Sequence, residues 1–261
     1  MKIAANISLL HFGVPLAARA DSARKAGFDG LECLFPYALS PGEMGDVRGA
    51  MPLVLINTPV DDWEDGARGR AAVPGELAQF ASDMQRAIDY AEALGVGRIH
   101  VMAGKSTGTR ARERFEANLR AACLAVPEIT ILIEPLNAGD MPGYFLNDFD
   151  QAGEIIDRIG LPNLALQFDT WHAKRIHGDA RAVWARHAGR VGHVQIAGLG
   201  ARGAPDPDDP VEAALYEAIA ASGYDGWVSA EYLDSGAGYG WLPALRRRMG
   251  DNAGDRAPVR A

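Results

Sequence analysis

The chain has 261 residues, 48% of them hydrophobic, with a formal charge of −8 and an isoelectric point near 5.3. That length suits one α/β barrel of ordinary size or two small domains, and the apolar fraction is ample for a packed core. The acidic balance argues against a partner such as nucleic acid or an anionic membrane surface, yet a few local cations could still hold an anionic small molecule.

In chain order, short apolar runs alternate with helical periodicity. The opening MKIAANISLL is strand-like and too short for the apolar core and cleavage site of a signal peptide. Strands are predicted at 3–8, 30–34, 53–57, 98–102, 130–134, 164–169, 192–196 and 227–231. Helices are predicted at 16–26, 74–94, 110–125, 148–159, 180–188, 211–222 and 239–249, with a weak second helix somewhere in 41–50. KAGFDG, ALGVGR and ASGYDG each show a glycine stop followed at once by a strand. No apolar run approaches 18 residues, so no transmembrane helix is expected and the expected compartment is the cytoplasm. Cys33 and Cys123, in the apolar stretches LECLF and ACLAV, read as buried free thiols.

Eight strands with intervening helices read as a parallel α/β fold. The first strand runs into Ser8-Leu9-Leu10-His11 and not into a glycine-rich phosphate turn, which argues against an open dinucleotide-binding sheet. The expectation is one (β/α)8 TIM barrel over residues 1–250, with 251–261 as a frayed tail. Arg246, Arg247 and Arg248 close the last helix, where they would complement its dipole.

The strongest chemical signal lies at the ends of the last four strands. TILIEP finishes on Glu134, LALQFD on Asp169, HVQIA carries Gln195, and WVSAE finishes on Glu231. Their separations of 35, 26 and 36 residues bracket the roughly 31 of one barrel unit. All four therefore belong at the same level, at the C-terminal end of the barrel where such folds place their sites. Three carboxylates converging there would repel one another unless a divalent cation joined them. An all-oxygen donor set suits Mg²⁺ or Mn²⁺ better than Zn²⁺.

Other candidates surround this cluster. His193 shares a strand face with Gln195 one layer deeper, and His172 follows Asp169 in DTWH; both are expected to bind substrate or support the ligands. His11 and His100 are placed to line the mouth, whereas His177 and His187 read as solvated. The long loop at 58–76 carries Trp63 and Arg68 and reads as a lid that covers a small substrate and presents a cation to it. Lys105 and Arg202 are the further cations in reach of a substrate carboxylate.

From AANISLLHF through GLECLFPY, DDWEDGARGRAAVPG, RIHVMAGK, ILIEPLNAGDMPGYFLN, LQFDTWH, GHVQIAG and GYDGWVSAEY to GYGWL, the chain resembles the hydroxypyruvate isomerase family of the xylose-isomerase-like barrel superfamily. The resemblance implies an isomerase that interconverts hydroxypyruvate and tartronate semialdehyde, or a closely related 2-oxo acid pair. It also implies that Glu134 and Glu231 serve as both metal ligands and acid/base groups, with Asp169 and Gln195 completing the site. The expected partner is a small sugar acid, and a homo-oligomer is compatible with all of this. One stretch departs from the family: at 198–212 Arg202 and Pro205 are kept, but an Asp and most of a glycine-rich run are missing. Competing readings are a 2-oxotetronate isomerase or sugar epimerase on the same scaffold, and a non-catalytic sugar-acid binder. Gln195, where the sugar epimerases usually carry a histidine, argues against a free ketose. A barrel endonuclease for damaged DNA would need a histidine-rich trinuclear site and a basic face, neither of which fits six histidines and a charge of −8.

Overall fold

The computed structural model describes residues 1–234, 236 and 238–250; the expected tail at 251–261 lies outside them. Eight parallel strands close into a barrel in sequence order. They are β1 (Lys2–Asn6), β2 (Gly30–Glu32), β3 (Leu53–Asn57), β4 (Arg98–His100), β5 (Thr130–Ile133), β6 (Leu164–Asp169), β7 (Val191–Ile196) and β8 (Trp227–Ala230), the last pairing with the first. Around them run α1 (Leu16–Ala26), α2 (Pro41–Arg48), α3 (Leu77–Leu94), α4 (Thr109–Ala125), α5 (Phe149–Ile159), α6 (Thr170–His177), α7 (Ala180–His187), α8 (Pro210–Ala221) and α9 (Leu242–Arg248).

Local chemistry explains the boundaries. The weak second helix is α2, with proline in its first turn and a reciprocal Ser40–Glu43 capping box. The helix expected from residue 74 starts only at Leu77, because Gly75 sits at φ +93° and keeps the chain in a turn. Sequence periodicity missed α6 entirely. It is short, and its signal lies in its ends: Asp169 caps it, and Lys174, Arg175 and His177 crowd the last turn before Gly178 at φ +80°.

Two apolar regions make the core. The larger lies between strands and helices. A small second cluster, Ala4, Val54, Leu55 and Leu132, packs with Ala165 and Trp227. Ala4, Leu55, Leu132 and Ala165 each lie two residues before a buried polar residue of their own strand, so they share its face and form the layer beneath it. Gly30 belongs to this plug: a Cβ there would stand 2.9 Å from the Trp227 ring.

The loop between β3 and α3 is tied down at its second half. Ala71 and Ala72 donate backbone hydrogen bonds to Met102 and Ala103, and Asn118 Nδ2 holds the Ala71 carbonyl at 2.8 Å. Gly69, at φ +95°, comes so close to β4 that a Cβ would lie 2.3 Å from the Met102 carbonyl oxygen. Only glycine satisfies both conditions.

Two expectations are corrected here. His187 is buried, not solvated, with Nε2 2.9 Å from Asp150. Arg246 does more than face the α9 dipole: it is buried and donates to the Gly27 carbonyl at 2.7 Å and to Asp29 at 3.0 Å. Both cysteines are free and buried, as expected.

Candidate active site

Each of the eight strands delivers one buried polar residue at its C-terminal end: Asn6, Glu32, Asn57, His100, Glu134, Asp169, Gln195 and Glu231. The register brings Asn6 beside Glu32, Asn57 beside His100 and Asp169 beside Gln195. Sequence reasoning singled out the last four as ligands and flagged His100, but passed over Asn6, Glu32 and Asn57. Their signal was the same: a polar residue closing an apolar strand one barrel unit from the next.

The carboxylates are arranged with oxygens to spare. Asp169 Oδ1 caps α6, accepting from the Trp171 amide at 2.7 Å and the His172 amide at 3.3 Å. Its Oδ2 is buried without a hydrogen-bond partner among the described residues, and so is Glu231 Oε2. Glu134 Oε2 accepts from Gln167 Nε2 at 2.7 Å, and Glu134 Oε1 lies 3.9 Å from His172 Nε2. Burial, then the charges of Glu231 and Asp169, pushes Glu134 well above the usual carboxylate range. Burial also raises Glu231, against the pull of Arg202 and with added repulsion from Glu32 and Asp169.

These features fit a divalent cation. Ligand atoms of Glu134, Asp169 and His172 come within 4.8 Å of one another, and the oxygens of Asp169 and Glu231 that lack a hydrogen-bond partner are available to ligate a cation. His172 is the poorer ligand of the trio. Its Nδ1 accepts from the Asn137 amide at 3.0 Å, which leaves the ring proton on Nε2, the nitrogen nearer Glu134 and Asp169. Burial lowers its pKa to about 4, so the ring is a neutral donor toward the cavity.

Glu32 organises the floor. Its Oε1 accepts from Asn6 Nδ2 at 2.7 Å and from Gln195 Nε2 at 2.6 Å, and its Oε2 lies 2.7 Å from His193 Nε2. A carboxylate only accepts, so Gln195 must turn its amino group to Glu32 and its oxygen the other way. That oxygen now accepts from Gln167 Nε2 at 2.8 Å. His193 is thus placed against Glu32 under the ligands and is absent from the cavity wall, the geometry of the supporting role and not of the substrate contact among the two expected of it. Gln167, two residues before Asp169, was missed although it holds the same position on its strand as His193 does on β7.

Above this ring lies a cavity of about 380 Å³, counted out to the solvent at its mouth. Phe35, Trp63, Met102 and Met141 supply apolar wall; Asn57, His100, His172, Glu134, Glu231 and Arg202 supply polar groups. Burial lowers the His100 pKa to about 3, with the other histidines adding to it. His11 points elsewhere, pinned to Asp234 by its backbone amide at 2.9 Å.

The three cations part ways. Arg202 Nη2 reaches Glu231 Oε1 at 3.2 Å and Asp169 Oδ2 at 3.6 Å, and Nη1 lies 3.5 Å from Asp140. Burial opposes its charge, but Asp169, Glu231, Glu134 and Asp140 outweigh that and raise its pKa. The altered loop delivers it in a left-handed conformation at φ +53°. Buried Glu212 clasps that loop through the amides of Leu199 and Asp206, each at 2.8 Å. Arg68 instead stacks on Trp63, 3.9 Å from the ring centroid, and donates to the Trp63 and Ala67 carbonyls. It therefore fixes the lid tryptophan and does not itself line the cavity. Lys105 is exposed on the rim, outside the cavity wall.

A closed eight-stranded barrel with a carboxylate cluster at its C-terminal mouth defines a class of barrel enzymes, and the sequence agrees: the xylose isomerase-like TIM barrel model matches residues 20–249, so the chain belongs to that family. A 2-oxo-tetronate isomerase of Cupriavidus necator is 38% identical over 259 residues, covering 94% of this chain and 99% of the relative. A hydroxypyruvate isomerase of Escherichia coli is 35% identical over 257 residues, covering 94% of this chain and 100% of its own. Among solved structures, an AP endonuclease, family 2, from Brucella melitensis superposes with a TM-score of 0.85 at 35% identity, covering 93% of this chain and 98% of that one. A D-psicose 3-epimerase of Clostridium cellulolyticum, at 16% identity and a TM-score of 0.75, shares the fold.

Proposed function

We propose that this protein is a divalent-metal-dependent isomerase of a small hydroxy-2-oxo acid of three or four carbons. The observation that carries the reading is the cluster of buried carboxylates at the end of the barrel, where Asp169 Oδ2 and Glu231 Oε2 lack a hydrogen-bond partner among the described residues and Arg202 lies beside Asp169 Oδ2 and Glu231 Oε1. Its support from relatives is the pair of isomerases at 38% and 35% identity over nearly the whole chain. Glu134, Asp169, Gln195 and Glu231 would hold Mg²⁺ or Mn²⁺, an assignment in keeping with their oxygen donors. Such a cation, when bound, would stabilise negative charge on the two neighbouring substrate oxygens.

The protein's own groups do the rest. The substrate carboxylate pairs with Arg202, the cation in the cavity wall. His172 offers an Nε2–H hydrogen bond, without giving up the proton, to the substrate carbonyl oxygen, which develops negative charge as the adjacent C–H proton leaves. Glu134 and Glu231 flank the substrate from β5 and β8. One takes the proton from the hydroxyl-bearing carbon and returns it to the former carbonyl carbon, while the hydroxyl proton passes between the two oxygens. Burial raises both glutamates above the ordinary carboxylate range, which makes each a stronger proton acceptor than an exposed carboxylate. Trp63, clamped by Arg68, covers the cavity and limits water.

The reading extends to a cytoplasmic location, in keeping with two free thiols; among the described residues no helix is long and apolar enough to cross a membrane. A nucleic-acid substrate is opposed by the charge of −8. The deciding experiment is turnover of a panel of three- and four-carbon 2-oxo acids, with Mn²⁺ or Mg²⁺ and after exhaustive chelation. Activity should vanish with the metal and return on its addition. Full activity in protein shown by metal analysis to be empty would overturn the assignment.

A further inference from the structure

Asn57 and His100 are register partners at the ends of β3 and β4, 4% and 1% exposed, and both line the cavity. Asn57 Oδ1 and both ring nitrogens of His100 have no hydrogen-bond partner among the described residues. The Asn57 amino group touches only the weak acceptor Met102 Sδ, at 3.7 Å. Glu134 Oε2 stands 3.5 Å from His100 Nδ1, too long for a good hydrogen bond. Buried polar groups are rarely left so, and here both residues line the cavity.

We infer that Asn57 and His100 form a subsite for a hydroxyl group one carbon beyond the reacting pair, which makes a four-carbon hydroxy-2-oxo acid the preferred substrate. The inference rests on the isomerase reading and adds the substrate class to it. A carboxamide oxygen needs a donor, and an imidazole offers one donor and one acceptor. A hydroxyl supplies both roles at once. A carboxylate would only accept and would face the Asn57 oxygen with a like charge; its natural place is at Arg202, beside Glu231 and Asp169. Phe35 and Met102, apolar and in the same wall, suit the methylene that carries such a hydroxyl. A three-carbon acid has no atom beyond the reacting pair, so it leaves these buried groups unpaired. Sites built to pair a hydroxyl discriminate strongly against ligands that lack it.

The test is calorimetric binding of three non-reacting acids to the wild-type protein loaded with Mn²⁺: 2,3,4-trihydroxybutanoate, its 4-deoxy analogue and 2,3-dihydroxypropanoate. The 4-hydroxyl should tighten binding at least about fivefold over the 4-deoxy acid, the scale of one neutral hydrogen bond. Asn57→Leu should erase that preference, and His100→Phe provides a second variant should the first not fold. Equal binding of the trihydroxy and 4-deoxy acids by the wild type overturns the subsite and leaves the isomerase reading intact. Binding of none of the three overturns both.

Discussion

The two halves of the barrel mouth are built differently. Strands β5 to β8 end on Glu134, Asp169, Gln195 and Glu231, three of them carboxylates, of which Asp169 and Glu231 each have a buried oxygen without a hydrogen-bond partner among the described residues. Strands β1 to β4 end on Asn6, Glu32, Asn57 and His100, where the one carboxylate is fully satisfied by Asn6, Gln195 and His193. The β5–β8 half therefore holds unbalanced charge in a buried place, which is costly unless a cation or substrate completes it. The β1–β4 half holds mostly neutral groups, which cost less to bury and are suited to pairing with hydroxyls. Glu32 joins the two, since it sits on β2 yet sets which end of the Gln195 amide faces the carboxylates.

The sharpest break in this comparison comes from the charged half. Glu134→Gln and Glu231→Gln should each lower turnover by about 10²-fold or more, the scale of general acid–base catalysis, while the fold survives. Stopped assays on protein checked by thermal melting decide it; comparable rates per folded molecule would return both residues to a structural role.

Cutting the link between the halves comes next. Glu32→Ala leaves Asn6, Gln195 and His193 unpaired in the interior and should cost about 3 kcal/mol of stability. Mn²⁺ affinity should fall about 10- to 100-fold, as for other losses of a group that orients a metal ligand. Urea unfolding and Mn²⁺ titration read the two effects separately. An unchanged metal affinity would mean that Gln195 does not depend on Glu32 for its orientation.

The cations give a smaller and graded effect. Arg202→Ala should raise KM for acid substrates about tenfold or more, because a bidentate partner in the cavity is lost. Arg68→Ala should raise it only about threefold, acting through a loosened Trp63. KM measured for an acid and for a neutral analogue checks the order, and the reverse order would move the carboxylate site to the lid. Lys105→Ala, on the exposed rim, should change kcat/KM by no more than about twofold.

The charged half was legible in the sequence because a carboxylate that ends an apolar strand is conspicuous, and three such ends with Gln195 in barrel register leave little other explanation. The neutral half was harder to see. Asparagine at a strand end is also a common turn residue, and Glu32 sits in GLECLF, where no second acid stands one unit away to draw attention to it. Likewise α6 lacks an apolar stripe long enough to register, so its cap Asp169 was read as a ligand alone and not also as the start of a helix.

What the sequence by itself determined is the closed eight-unit barrel, the family, and the level at which the polar residues gather. Periodicity of two and 3.6 fixes which faces are buried, and the near-constant unit length fixes the level. What only the tertiary structure decided is which polar groups are already satisfied. Hydrogen bonds between residues 161 and 163 positions apart, from His193 and Gln195 to Glu32, cannot be inferred from local pattern. The same holds for the cations: Arg68 and Arg202 look alike in sequence. Contact with a tryptophan ring ties one to the lid, and proximity to two buried carboxylates brings the other into the site.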